Sequence, residues 1–190
     1  MPALVFVDVL AGEKPAMIFQ PNENQFPNHR FAPHQGLADL CDQLGLHVSF
    51  RAGTNFVFVA ASRGRLDLVP TNGRRKRSRG WAKRLGVILG YPPSAVQTFM
   101  SQDQPWTEPA DHVRDGHFTP EEIADVGFVP YRMDDSVQGY ERAIQRGQRA
   151  RARYERLAEE WDLPQLAKCV EQQREKFVAN ATPKVVSADD

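Results

Sequence analysis

Residues 73–100 read GRRKRSRGWAKRLGVILGYPPSAVQTFM and carry the densest set of local structural signals in the chain. Gly90 suits the left-handed residue that ends a helix, and Pro92-Pro93 prevents the helix from continuing. Ser94 is typical of the N-cap of a second helix. The first half has apolar side chains at the spacing of one helix face: Trp81, Leu85, Ile88 and Leu89. The stretch therefore predicts two helices joined by a short, stiff corner.

The sequence upstream of this helix pair is rich in β-branched and aromatic residues. The glycine-containing connection after residue 51 favours a hairpin, and a helix ending at Gly45 precedes it. Because Cys41 lies on the apolar stripe of that helix, we expect a small buried residue there rather than a reactive thiol. The prolines of residues 21–35 indicate an irregular loop. Five runs predict strands: 3–10, 16–20, 47–51, 54–60 and 65–69.

The sequence downstream of Met100 is mostly of helical type. Residues 101–118 are acidic and non-periodic, which predicts a long surface loop. Thr119-Pro120-Glu121-Glu122 has the pattern of a helix N-terminus, and Gly127 is expected to end that helix. Asp135 or Ser136 is predicted to cap the longest helix, which runs through Trp161 with Arg151 as the charged exception in its apolar stripe. A last helix follows Pro164.

These elements predict an α+β fold. A chain of 190 residues can bury a core without disulfides or metal. We expect a small mixed or antiparallel sheet in residues 1–70, packed with four to five helices in residues 73–178. Residues 1–178 are predicted to form a single domain, and residues 179–190 a disordered tail.

The net charge of zero conceals an uneven distribution. Nine basic residues between Arg63 and Arg84 face one acid, whereas nine acids between Asp103 and Asp135 face two arginines. Positive charge at a helix N-terminus opposes the helix dipole by roughly 0.3–1 kcal/mol per well-placed charge. The basic run preceding Trp81 therefore indicates either a loop or fraying turn or an anionic partner that neutralises it. A second basic feature is a row at alternating spacings of four and three on the longest helix: Arg142, Arg146, Arg149, Arg153 and Arg156.

The sequence contains no signature of catalysis or of a cofactor. It lacks a glycine-rich phosphate loop, a nucleophile elbow, His-Glu-x-x-His and Cys-x-x-Cys, so no catalytic residue and no cofactor are predicted. Four residues superficially resemble metal ligands: Asp111, His112, Asp115 and His117. A flexible loop offers no fixed coordination geometry, so we favour a solvated loop and predict no metal site. The N-terminus lacks the basic segment of a signal peptide, and no stretch is long enough to span a membrane, so a soluble, cytoplasmic protein is expected.

Two segments resemble a family of uncharacterised, mainly archaeal proteins. Residues 90–99, GYPPSAVQTF, are similar to that family's Gly-Tyr-Pro-x-Cys-Cys-Val-x-x-Phe motif. Residues 128–132, FVPYR, followed by residues 141–144, ERAI, resemble its second motif, a Pro-Cys-x-x-x-Cys element before a helix. The cysteines are absent here, since Ser94-Ala95 and residues 133–136 occupy their positions. The resemblance therefore implies a shared scaffold and no thiolate or metal chemistry.

Three functions are compatible with the sequence. The leading prediction is a non-enzymatic accessory protein that binds RNA or DNA phosphates. An alternative is a module that self-associates, for example as a homodimer, through faces of opposite charge. Another is a small enzyme with a site near Tyr91 that uses the four ligand-like residues. The predicted primary phosphate contacts are Arg74, Arg75, Lys76, Arg77 and Arg79; the secondary contacts are Arg142, Arg146, Arg149 and Arg153. Lys83 is also predicted to bind anions.

Overall fold

The computed structural model is α+β, as predicted, with a three-stranded antiparallel sheet in the N-terminal half and a mostly helical C-terminal region. The chain divides into two compact units, residues 2–100 and residues 101–190, and each is described by itself. The expectation of a single domain stays a prediction. The structure describes residues 2–19, 32–50, 56–69, 79–101, 108–131 and 133–182.

The N-terminal unit is built on a sheet with the strand order β1-β3-β2. Its strands are β1 (Ala16–Phe19), β2 (His47–Phe50) and β3 (Val57–Ala60), and β3 pairs antiparallel with both neighbours. All four residues of β3 are buried, as expected for the central strand. The predicted pairing of residues 47–51 with 54–60 is confirmed, although the turn itself lies outside the described residues.

Helices cover both faces of this sheet. Helices α1 (Pro2–Leu10) and α2 (Ala32–Gln43) contribute to one apolar cluster with Met17 and Val59. Helices α3 (Arg63–Asp67) and α4 (Arg79–Ile88) contribute to a second cluster on Phe58 and Ala60. Since Phe58 and Val59 are adjacent in β3, their side chains serve opposite faces, which gives a helix–sheet–helix arrangement. Cys41 is fully buried on α2, which confirms its prediction, and burial raises the pKa of its thiol.

Two predicted strands of this unit are helices instead. Leu4, Asp8 and Val9 are buried in α1, a spacing that fits one face of a helix but not of a strand. In the segment predicted as a strand over residues 65–69, Leu66 and Val69 are buried while Leu68 is 59% exposed. A strand would place Leu66 and Leu68 on the same face, so burial three residues apart requires the helical turn of α3. The predicted loop over residues 21–35 is described only from residue 32, where α2 begins.

The predicted helix corner is present. Gly90 follows α4 with φ +69°, and the Tyr91 N–H donates to the Gly86 carbonyl at 2.8 Å, which is the bond of a left-handed helix end. Helix α5 (Pro93–Met100) then begins one residue before Ser94, so the N-cap prediction for Ser94 is wrong. Proline at the first helical position explains the shift, because its fixed φ already suits a helix.

The C-terminal unit is described by four α-helices and one 3₁₀ helix. They are α6 (Pro109–Arg114), α7 (Pro120–Ile123), the 3₁₀ helix (Ala124–Phe128), α8 (Val137–Glu160) and α9 (Pro164–Ala181). The 3₁₀ helix packs on both α8 and α9. Among the described residues no helix is long and apolar enough to cross a bilayer.

The local signals of this unit are mostly confirmed. Thr119 and Glu122 form the predicted reciprocal capping bonds of α7, with Glu122 N–H donating to Thr119 Oγ1 at 3.2 Å. Ser136 caps α8, accepting from the Gly139 N–H at 3.1 Å. Gly127 does not end α7, because the chain continues there as a 3₁₀ helix whose Gly127 lies against the Phe177 ring.

Two boundaries in this unit were predicted wrongly. The predicted loop over residues 101–118 contains α6, which begins with a proline and covers an apolar cluster through Val113. The predicted disorder of the tail does not start at residue 179, because α9 extends to Ala181, which is fully buried. Residues 183–190 lie outside the described residues.

Candidate nucleic-acid interface

The opposite charges of the chain separate along the boundary between its two compact units. Residues 2–100 carry twelve Lys and Arg against six Asp and Glu, a net charge of +6. Residues 101–190 carry twelve Lys and Arg against eighteen Asp and Glu, a net charge of −6. An anionic ligand of the size of a nucleic acid would therefore be attracted to the N-terminal unit.

The outer face of α4 continues the basic run of the sequence. Lys83 and Arg84 are exposed there and have no ionic partner among the described residues, while Leu85 and Ile88 turn toward the sheet. Val87, one turn beyond Lys83, is 61% exposed. Arg79 begins α4, whereas Arg74, Arg75, Lys76 and Arg77 lie outside the described residues.

The arginine row on α8 is largely engaged with the C-terminal unit itself. Arg142 forms an ion pair with Asp134 at 3.2 Å, and Arg146 donates to the Tyr131 hydroxyl at 2.7 Å. The last member of the row, Arg156, pairs with Glu160 at 3.5 Å, and Arg153 lies over the Tyr154 ring. Arg149 is exposed and has no partner in the described part of the chain. Because these ion pairs are exposed, each contributes about 0–1 kcal/mol and can be exchanged for another anion.

Arg151, the exception in the apolar stripe of α8, has a partner that the sequence did not reveal. Its Nε lies 2.8 Å from Oδ1 of Asp125, although the N–H does not point along the line to that oxygen. Asp125 comes from the 3₁₀ helix and is 4% exposed, so the arginine compensates a charge buried against α8. Gly147, one turn earlier on α8, lets the Asp125 carbonyl approach the helix backbone. Arg151 therefore has a structural role, as do the apolar residues of the same stripe on α8.

The acidic segment between residues 103 and 135 is also used locally. The Glu108 N–H donates to Asp111, lowering the pKa of that carboxyl, and Arg114 lies 2.8 Å from it. The Ser136 N–H donates to Asp134 and lowers its pKa in the same way. These acids cap helices and pair with neighbouring arginines, so the acidity of this segment is largely a consequence of how its helices begin.

The ligand-like residues of the expected loop do not form a metal site in the described part of the chain. His112 is 5% exposed on α6, and its Nε2 donates to the Asp135 carbonyl at 3.0 Å. Its ring lies 4.2 Å from the Tyr140 ring, which makes it a packed residue rather than a solvated one. His117 and Asp115 are exposed nearby. No group of three possible metal ligands occurs among the described residues.

The residues of the predicted enzyme site belong to two different units. Tyr91 packs at the edge of the core of the N-terminal unit, where burial raises the pKa of its phenol. Lys14 Nζ lies 4.5 Å from the centre of its ring. The four candidate acid–base groups all lie in the C-terminal unit. Tyr91 is thus accounted for by packing and by a cation–π contact.

Comparisons with protein-family models, with curated proteins and with solved structures each gave no match. The resemblance of residues 90–99 and 128–144 to the archaeal family therefore stays a prediction. Within the described part of the chain, Lys83 and Arg84 on α4 are exposed cations without an ionic partner.

Proposed function

We propose that this protein binds nucleic-acid phosphates through the basic surface of its N-terminal unit. The observation that carries the proposal is the net charge of +6 on that unit, combined with the exposure of Lys83 and Arg84 on the outer face of α4. These two cations follow a run of five within six residues that contains no acid: Arg74, Arg75, Lys76, Arg77 and Arg79. Phosphate neutralisation supplies most of the affinity of such surfaces and does not depend on base sequence.

The contribution of the arginine row is secondary in this proposal. The row lies on the unit with a net charge of −6, and Arg142, Arg146 and Arg156 already have partners. A phosphate would have to displace those partners, whereas the cations of α4 need no displacement. We therefore expect the basic run to determine the affinity, and the row, chiefly Arg149, to add to it.

The test compares two variants that lose the same number of arginine and lysine charges. The first changes the basic run to glutamine (R74Q, R75Q, K76Q, R77Q, R79Q), and the matched control changes the row (R142Q, R146Q, R149Q, R153Q, R156Q). Fluorescence anisotropy measures binding to labelled single-stranded RNA, single-stranded DNA and duplex DNA over a range of salt concentrations. If all five cations of the run contact duplex phosphates, the slope of log K against log salt decreases in magnitude by about 4.5.

For a fourfold rise in salt, the unmodified protein should therefore lose about 500-fold more affinity than the variant of the basic run. The control variant should change the salt slope much less. The proposal is wrong if the unmodified protein binds no more tightly than a neutral protein of similar size, or if the two variants lose affinity equally. RNA and DNA arms of the experiment decide which nucleic acid is preferred, since only RNA offers the 2′-hydroxyl.

Self-association is a second candidate, because the two units carry equal and opposite net charges. The acids between residues 103 and 135 support it poorly, since several are used within their own unit.

A further inference from the structure

An open groove lies between α8 and α9 near the turn that joins them. Its volume is about 550 Å³, and its apolar lining comes from Ala158, Leu163, Ala167 and Val170. Leu163, in the turn between the two helices, is 39% exposed there. The groove thus presents an apolar floor that the described residues of the C-terminal unit do not cover.

Acidic side chains line the same groove, and three of them have no partner. Glu159, Asp162 and Glu171 make no side-chain hydrogen bond or ion pair with any residue of the chain, to judge from the described residues. Their neighbours differ in this respect, because Glu155 pairs with Arg151 and Glu160 pairs with Arg156. Unpaired like charges around an apolar floor repel one another, and a cationic occupant would remove that repulsion.

Two arginines also line the groove but do not cancel this charge. Arg151 is held by Asp125 and Glu155. Arg174 lies on α9, and its Nε is buried without a hydrogen-bond partner. The net charge of the lining residues, with Asp125 counted against Arg151, remains negative.

The outer face of α4 has the complementary pattern. Lys83 and Arg84 lie four and three residues before Val87, respectively, so the two cations and the exposed apolar side chain share one side of the helix. All three lie in the unit with a net charge of +6. A short apolar side chain flanked by cations is complementary to the apolar floor and the unpaired acids of the α8–α9 groove.

We infer that the α8–α9 groove of one copy receives the outer face of α4 from a second copy. Val87 fills the apolar floor, and Lys83 and Arg84 face Glu159, Asp162 and Glu171. The two surfaces are different, so the contact is head-to-tail and need not close into a symmetric dimer. A groove that holds so few side chains gives weak, concentration-dependent and salt-sensitive association.

The inference goes beyond nucleic-acid binding and does not rest on it, since the test uses protein free of nucleic acid. Sedimentation velocity of the full chain follows self-association from about 10 µM to about 500 µM protein, at about 50 mM and about 500 mM salt. The charge-reversal variants K83E/R84E and E159K/E171K should each weaken association about tenfold at low salt. Lys83 and Arg84 are exposed on α4 and glutamate is a good helix former, so the first variant should fold.

The decisive experiment combines K83E/R84E with E159K/E171K in one chain. The outer face of α4 and the α8–α9 groove are then again complementary in charge, with inverted signs. An equal mixture of K83E/R84E and E159K/E171K should also associate. The acidic groove of the first variant matches the basic α4 face of the second, and the two reversed surfaces are likewise opposite in charge. The matched control E121K/E141K changes the same net charge at exposed acids outside the groove and should associate as the unmodified protein does. V87S tests the apolar contact without changing charge and should also weaken association.

The inference is overturned if the protein is monomeric throughout this concentration range at low salt. It is equally overturned if E159K/E171K behaves like the control, or if the combined reversal fails to restore association. Because Lys83 belongs to both proposed surfaces, added single-stranded DNA should compete with self-association when nucleic acid binds. If no nucleic acid binds but the charge swap restores association, the proposed function fails and this inference stands.

Discussion

Replacement of Gly147 by alanine should destabilise the C-terminal unit, although alanine is the better helix former. Gly147 lies on α8 where the 3₁₀ helix crosses it, and a Cβ there would overlap the Asp125 carbonyl. The obstacle is backbone, so no side chain can rotate away, and overpacking of this kind costs about 1–3 kcal/mol. The gain in helix propensity returns only about 1 kcal/mol.

A shift of the 3₁₀ helix would also disturb the ion pair between Asp125 and Arg151, whose closest atoms lie 2.8 Å apart. Removal of one partner from a fully buried pair costs about 3–5 kcal/mol, but Arg151 is 33% exposed, so a partial distortion should cost about 1 kcal/mol. With the overlap near the upper end of its range, the net expectation for G147A is a loss of about 2–3 kcal/mol. Gly36, exposed on α2 with open space around it, supplies the matched control, and G36A should stabilise its unit by about 0.5–1 kcal/mol.

Hydrogen exchange read by mass spectrometry reports the opening of each unit separately, so both substitutions can be measured in the full chain. G147A should accelerate exchange in α8 and in the 3₁₀ helix, while G36A slows exchange in α2. The variant R151M, combined with G147A, should lose less than the sum of the two single changes, because both act on Asp125. If G147A stabilised the unit as G36A does, or if the double variant were additive, the proposed packing of Asp125 on α8 would be wrong.

Two further predictions concern helix ends in the same unit. Asp162 has φ +48° between α8 and α9, so D162G should raise stability by about 1 kcal/mol in thermal unfolding, whereas D162A, which keeps a Cβ at positive φ, should not. The backbone and hydroxyl of Thr119 hold the pKa of Glu122 below its ordinary value of 4.5; a lowered folded-state pKa means that this stabilisation is present above pH 4.5 and is lost as the pH falls through the folded value. E122Q should therefore flatten the acid-induced loss of stability measured by circular dichroism, while E121Q, at an exposed neighbour without such bonds, should leave it unchanged.

The sequence predicted those features that a few adjacent residues determine. Gly90 ends α4 because only a residue tolerant of positive φ can make that turn, and the reciprocal bonds of Thr119 and Glu122 require a spacing of three. Ser136 caps α8 for a similar local reason. The hairpin of β2 and β3 likewise follows from two β-rich runs separated by a short connection.

The features that were missed depend on residues distant in the chain. Residues 3–10 are apolar except for Asp8, and such a run fits a strand or a buried helix equally well. Packing against β1 and β3 favours the helix α1. His112 is buried because Asp135, twenty-three residues later, supplies a carbonyl for it. Arg151 sits in an apolar stripe because Asp125 lies opposite, and no local pattern links these two positions.

The same distinction applies to the charged residues from which function was predicted. The density of acids between residues 103 and 135 suggested an interaction face, but Asp111, Asp125 and Asp134 each have a partner within their own unit. A charge that caps a helix or neutralises an arginine is already stabilised, and transferring it to an external partner gains little free energy. When a complementary surface covers an unpaired charge beside exposed apolar surface, free energy is gained both from ion pairing and from burial of the apolar surface. Free charge of this kind occurs, within the described residues, at Lys83 and Arg84 on α4 and around the α8–α9 groove, and these surfaces are therefore where recognition by this protein should be sought.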